Sequence, residues 1–169
     1  MAAKVETSVV ASPLGEIHLA CHAGRLVALC FAEHWDRTRA DVDRHAGGFQ
    51  WVEAASPGPV AARLRAYFDG DLESIEALDV ELHGTEFQVA VWTALRDIRA
   101  GATLSYAELA RRVGRPSAVR AVGAANGANP VSLVVPCHRV IGANGALTGY
   151  GGGLERKQWL LRHERATLV

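Results

Sequence analysis

The stretch TLSYAELARRVGRPSAVRAVGAANGANP, residues 103–130, decides how the second half of this chain folds. Ser105 precedes an apolar-periodic run, and Glu108 follows it three residues on, which is the pattern of a capping box at a helix start. Leu109 and Val113 give that helix an inner face. The next four residues, Gly114, Arg115, Pro116 and Ser117, read as a tight turn. A second helix begins near Ser117 and carries Val119, Arg120 and Val122. Helix, short glycine-containing turn, helix is the pattern of a helix-turn-helix, although a plain helical hairpin shares it.

The second helix is nearly bare. Ala118, Ala121, Gly123, Ala124, Ala125, Gly127 and Ala128 leave Arg120 as its one long cation. A major-groove recognition helix projects long polar side chains onto base edges. A smooth helix suits close backbone approach, as in the narrower minor groove. A helix packed inside a protein is equally rich in small residues, so both readings stand on pattern alone.

Upstream, GTEFQVAVWTALRDIRAG (residues 84–101) predicts a helix capped by Thr85, with Phe87, Val91, Ala94, Leu95 and Ile98 inward and Gly101 as its stop. Downstream, VVPCHRVIGANG (residues 134–145) ends an apolar, strand-like run at a proline and then places Cys137, His138 and Arg139 in succession. A thiol is a poor nucleophile until it loses its proton, and a neighbouring imidazole or cation favours that loss. A buried cysteine beside a surface histidine is the plainer reading of such a pair. Asn129 and Pro130 before the run and Pro136 after it put the cysteine at the end of an element, where reactive groups are commonly presented.

The first half reads differently. Apolar stretches at 7–11, 16–21 and 25–31 are separated by turns at 12–15 and 23–24, the signature of an antiparallel meander. A polar stretch around 36–48 follows, then a short amphipathic helix with Val60, Leu64 and Phe68 that ends at Gly70, then DVELHG as a last strand or connector. The expected fold class is α/β: an N-terminal α/β domain with a small antiparallel sheet over 1–84, and a mostly helical domain with a winged helix-turn-helix over 85–169.

Composition agrees with a globular protein. The 169 residues are 49% hydrophobic and 21% charged, with no apolar run long enough to span a membrane. The start MAAKVETSVV lacks a signal-peptide pattern, and the cysteines Cys21, Cys30 and Cys137 are too few and odd in number for a disulfide framework, so the cytoplasm is expected. The zero net charge hides an asymmetry. Residues 1–84 hold 7 Lys/Arg against 13 Asp/Glu, a balance of −6, and residues 85–169 hold 11 against 5, a balance of +6. A basic half on a neutral chain points to an anionic partner.

VPCHRVI resembles the acceptor-cysteine motif of the O6-alkylguanine-DNA alkyltransferases at every position. FQVAVWTALRDIRAGATLSYAELARRVG, RAVGAANGANP and TGYGGGLERKQWLLRHE are similar to further ordered motifs of that family, and SPLGEIHLA and LRAYFDG fit more loosely. The resemblance is dense from about Phe87 to Glu164. It implies direct-reversal DNA repair, with Cys137 accepting an alkyl group from O6-alkylguanine in a single irreversible turnover and with no metal or organic cofactor. It implies that His138 draws off the thiol proton through a water, that Glu164 orients His138, and that Asn129 braces the turn before the cysteine. Arg120 would replace the flipped nucleotide in the stack. Tyr106 would press on the adjacent phosphate and donate a proton toward the departing base. Ser105, Ala121, Gly123, Asn126, Gly127 and Arg139 would meet the minor groove of double-stranded DNA. Tyr150, Gly151 and Gly152 would wall the base pocket, near the backbone of Val135 and Val140, with Lys157 close by. Gly151 stands where some relatives have serine, so a pocket hydrogen bond is expected to be missing. Cys21, His22, Cys30 and His34 show no clean zinc spacing, so no metal is expected. The protein is expected to act as a monomer, without a membrane. The alternatives are a damage-recognition protein that binds DNA without transfer and a cysteine hydrolase.

Overall fold

A computed structural model describes residues 2–56, 58–143, 145–147, 150 and 153–165. The chain forms two compact units. One comprises Met1–Thr85 together with Pro130–Val134, and the other Glu86–Asn129 together with the chain from Val135 on.

In the first unit, β1 (Lys4–Val10), β2 (Ile17–His22) and β3 (Arg25–Phe31) form the expected antiparallel meander. The sheet is mixed, however, because a fourth strand, β4 (Gln50–Glu53), lies parallel to β1. The sheet order is β3-β2-β1-β4. The polar stretch after β3 is a helix, α1 (Trp35–Ala46), which buries only Thr38 and Val42. So narrow an apolar stripe leaves little hydrophobic period to read. Gly47 ends α1 in the left-handed region at φ 83°. The Asp43 carboxylate then accepts from the Phe49 N–H at 2.7 Å and the Trp51 indole at 2.9 Å, which fixes the return into β4. Val5, Ala20, Val27, Ala28 and Val42 form a core against which Trp35, Phe49 and Trp51 pack. A second helix, α2 (Gly58–Phe68), buries Val60, Ala61, Leu64 and Tyr67.

Two further segments complete the outer edge of β3. Leu26 donates to the Asp79 carbonyl at 2.9 Å and accepts from Glu81 N–H at 2.8 Å. Leu29 donates to the Pro130 carbonyl and accepts from Ser132 N–H, both at 2.8 Å. DVELHG therefore contributes one bridge, Leu26↔Val80, rather than a strand. The apolar run before the cysteine is likewise not a strand. Only Val131 bridges, to Leu29, and Leu133 then turns the chain at φ 70°.

In the second unit, α3 (Glu86–Leu95) buries Val91, Trp92 and Leu95. β5 (Leu104–Ser105) leads into α4 (Tyr106–Arg112), and α5 (Val119–Gly127) follows the turn. Ser105 Oγ accepts from the Glu108 N–H at 3.1 Å, which is one arm of the capping box. The other arm is not formed, because the Glu108 carboxylate pairs with the Arg111 guanidinium instead. Trp92 Nε1 donates to the Ala125 carbonyl at 2.7 Å and ties α5 to α3. The remaining elements are a 3-10 turn (Cys137–Arg139), β6 (Val140–Ile141), which pairs in parallel with β5, and α6 (Leu154–His163). No described helix is long and apolar enough to cross a membrane.

Candidate active site

The 3-10 turn places its three side chains inward: Cys137 is 5% exposed, His138 0% and Arg139 3%. Glu164, just past the end of α6, meets two of them. Its Oε2 lies 2.9 Å from His138 Nε2, and the Arg139 guanidinium clasps both carboxylate oxygens at 2.8 Å. Arg139 also donates to the Ile98 carbonyl at 2.6 Å. Gly101 lets the chain pass this corner. Its φ is 87°, and a Cβ there would meet the Glu164 carbonyl oxygen at 3.1 Å.

These contacts set the protonation states. Burial alone would raise the Glu164 carboxyl, but His138 and Arg139 outweigh it and hold the group well below the ordinary carboxylate range. An ionised Glu164 requires a proton on His138 Nε2, so Nδ1 carries the lone pair. Nδ1 is buried and has no hydrogen-bond partner. Burial also pulls His138 below its ordinary 6.5, more than Glu164 raises it. The imidazole at rest is a neutral base with its acceptor nitrogen unoccupied.

Burial pushes the Cys137 thiol above its ordinary 9.0, opposed by a hydrogen bond from the Asn129 side chain and by the Lys157 charge. The thiol is therefore protonated at neutral pH and needs a base. Asn129 Nδ2 also donates to the Val135 carbonyl at 2.7 Å, holding the turn before the cysteine. Lys157, 0% exposed on α6, donates to the Val140 carbonyl at 2.6 Å and lies 6.0 Å from the centre of the Tyr106 ring. Burial lowers its ammonium to about 8. The Tyr150 hydroxyl is buried without a partner, and its acidity is weakened by burial and by the nearby Cys137.

The structure thus gathers Cys137, His138, Glu164, Asn129, Lys157 and Tyr150 around one turn. The residues expected on the DNA face divide. Arg120, Ala121 and Gly127 are exposed on α5, and Ser105, Tyr106 and Gly123 are half-buried at the α4–α5 side, where the Tyr106 ring covers Gly123. Arg139 and Asn126 were expected to meet DNA, and both are instead buried. Arg139 is spent on Glu164 and Ile98, and Asn126, 2% exposed, donates to the Cys137 carbonyl at 3.3 Å. A cation flanked by His138 and the buried Val140 and Ile141 is a sequence sign of such an internal ion pair, which the reading of the residues missed. Gly151 and Gly152 lie outside the described residues. Among the described residues no group of three or more His, Cys, Asp or Glu could hold a metal ion.

Comparison with known proteins covers both halves of the chain. Residues 86–166 match the 6-O-methylguanine DNA methyltransferase DNA binding domain, and residues 5–82 match the ribonuclease-like domain of the same family. The methylated-DNA--protein-cysteine methyltransferase of Salmonella typhimurium is 49% identical over 95% of both chains. That of Mycolicibacterium paratuberculosis is 47% identical over 95% of this chain and 93% of its own. The crystal structure of Mycobacterium tuberculosis OGT in complex with DNA superposes with a TM-score of 0.80 and 41% identity, covering 95% of this chain and 94% of that one. With both of its halves matched and relatives so similar over nearly their full length, this chain belongs to the 6-O-methylguanine DNA methyltransferase family.

Proposed function

We propose that the protein repairs DNA by direct reversal, moving the alkyl group of an O6-alkylguanine in duplex DNA onto Cys137. The observation that carries this reading is the buried pairing of Glu164 with His138 Nε2, which leaves His138 Nδ1 without a partner on the residue next to a protonated Cys137 thiol.

The step follows from that geometry. His138 Nδ1 takes the thiol proton through a water, and Glu164 stabilises the imidazolium that forms. The thiolate sulfur attacks the alkyl carbon. The S–C bond forms, the O6–C bond breaks, and its electron pair leaves with the guanine. One proton returns to the base, a transfer we assign to Tyr106, so the products are a thioether and ordinary guanine. Sulfur is a soft nucleophile matched to a saturated carbon, and among the described residues no second set stands ready to cleave the thioether. Each molecule therefore acts once.

The target atom is out of reach inside a duplex, so the nucleotide must be extruded at a cost of about a few kcal/mol. The exposed, nearly bare face of α5 suits the minor groove, with Arg120 filling the gap in the stack. Three free cysteines suit a reducing compartment such as the cytoplasm, where the thiol survives until it is used.

Intact mass after incubation with a duplex bearing a single O6-methylguanine tests the reading. A stoichiometric gain of one CH2, mapped to the Cys137 peptide and lost in Cys137→Ser while duplex binding persists, is the expected result. Tight binding with no change in mass would leave a damage-recognition protein, and transfer by Cys137→Ser would remove Cys137 as the acceptor.

A further inference from the structure

Buried polar side-chain atoms in a folded protein almost always have partners, so each exception calls for a cause. Among the described residues the exceptions are His138 Nδ1, Tyr150 Oη and Asn126 Oδ1. All three belong to the surroundings of Cys137: His138 is its neighbour, Tyr150 is close enough to be made less acidic by it, and Asn126 bonds its carbonyl. The first two have uses in the proposed transfer, as the relay base and as a wall of the base pocket. Asn126 is left over.

Asn126 sits on the inner face of α5, the helix whose outer face exposes Arg120. Its Nδ2 donates to the Cys137 carbonyl at 3.3 Å, the longest of the buried side-chain hydrogen bonds around the thiol. A leucine of similar size would fill the same space with no stranded oxygen, so packing alone does not call for an amide here. What the amide adds is a directional tie between the turn that carries the thiol and the helix offered to DNA. α5 is otherwise held to α3 through the Trp92 indole, on the Ala125 carbonyl next in the chain.

We propose that Asn126 is a positioning residue that sets the register of the Cys137 turn against α5, so that the thiol is in line with the alkyl carbon when α5 is seated on a duplex. The role rests on the transfer reading above. It matters for a base delivered by α5 and much less for a free base, which finds the pocket without the helix.

The test uses the full chain and Asn126→Leu, which removes both the donor and the stranded acceptor. Alkylation rates are measured with O6-methylguanine in a duplex and with free O6-benzylguanine, alongside thermal unfolding. The duplex rate is expected to fall about tenfold or more, because small displacements of a reacting atom are costly, while the free-base rate stays within about threefold. The unfolding midpoint is expected to hold or rise. An unchanged ratio of the two rates overturns the positioning role, whatever the midpoint does, because a merely structural amide weakens both reactions alike. If Asn126→Leu does not fold, Asn126→Ala is read by the same ratio. A wild-type chain that alkylates with neither substrate overturns the transfer reading and this inference with it. Wild-type transfer with an unchanged ratio overturns this inference alone.

Discussion

Replacing Glu164 with glutamine separates what the buried carboxylate does for stability from what it does for chemistry. The substitution keeps shape and removes one charge. It leaves the Arg139 guanidinium, 3% exposed, without its counter-ion and gives it an amide N–H where it needs an acceptor. Removing one partner of a buried ion pair costs about 3–5 kcal/mol. For a chain of this size that lowers the unfolding midpoint by about 6–20 °C. The chemistry suffers separately. His138 Nε2 loses the anion that fixes its tautomer and stabilises its charged form, and the alkylation rate is expected to fall by about 10²–10⁴. The double variant Arg139→Met, Glu164→Gln tells the two apart. With the stranded cation removed, much of the stability returns, but the relay is still broken and transfer stays slow. Calorimetry and the rate of Cys137 alkylation, measured on the wild type and both variants, are the assays. A Glu164→Gln protein that alkylates within about threefold of wild type would refute the relay. A double variant that recovered rate along with stability would show that Glu164 matters only as a structural partner of Arg139.

Arg120→Ala should slow repair in a duplex more than attack on free O6-benzylguanine, as the extrusion role proposed for this exposed arginine requires; equal losses would remove it from that role. The rate of transfer should rise with pH and flatten near pH 8, where Lys157 loses its charge and the thiolate loses a nearby cation. In Lys157→Met that inflection should vanish and the rate should be lower throughout; an inflection that persists belongs to another group. Stability should fall as pH drops below about 6.5, since the unfolded chain takes up a proton at His138 that the folded chain resists. It should fall again below about 4.5, where Glu164, ionised when folded, is protonated once unfolded. Denaturant midpoints at successive pH values check both steps, and the higher one should be absent from a folded His138→Asn variant.

How much of this was legible in the sequence depended on the range of the interaction. The meander, the amphipathic α2, the Ser105 cap and the two helices about Gly114 are local patterns, and local patterns were readable. The adjacency of Cys137 and His138 was on the page, and Glu164 came from the resemblance of the RHE segment. α1 was missed because Trp35, Thr38 and Val42 are too few to stand out among charged neighbours. β4 was missed because its parallel partner β1 lies more than forty residues away. Arg139 and Asn126 were placed on DNA from the resemblance alone, with no sign of what they pair with. Their partners, Glu164 at a separation of 25 residues and the Cys137 carbonyl at 11, exist only in the fold.

The covered edge of β3 bears on how the chain is made. Its last hydrogen bonds come from Pro130 and Ser132, residues that leave the ribosome long after the rest of the first unit. Until then Leu29 presents an unpaired N–H and C=O on an apolar edge strand, the kind of surface that recruits other chains. The first half therefore does not mature on its own during synthesis. Its completion waits for the segment just ahead of the acceptor cysteine, so a molecule stalled or truncated before residue 130 is left with a bare edge and without Cys137. Cutting the chain near residue 85 would leave the first unit incomplete, since the break would take from it the residues that close it.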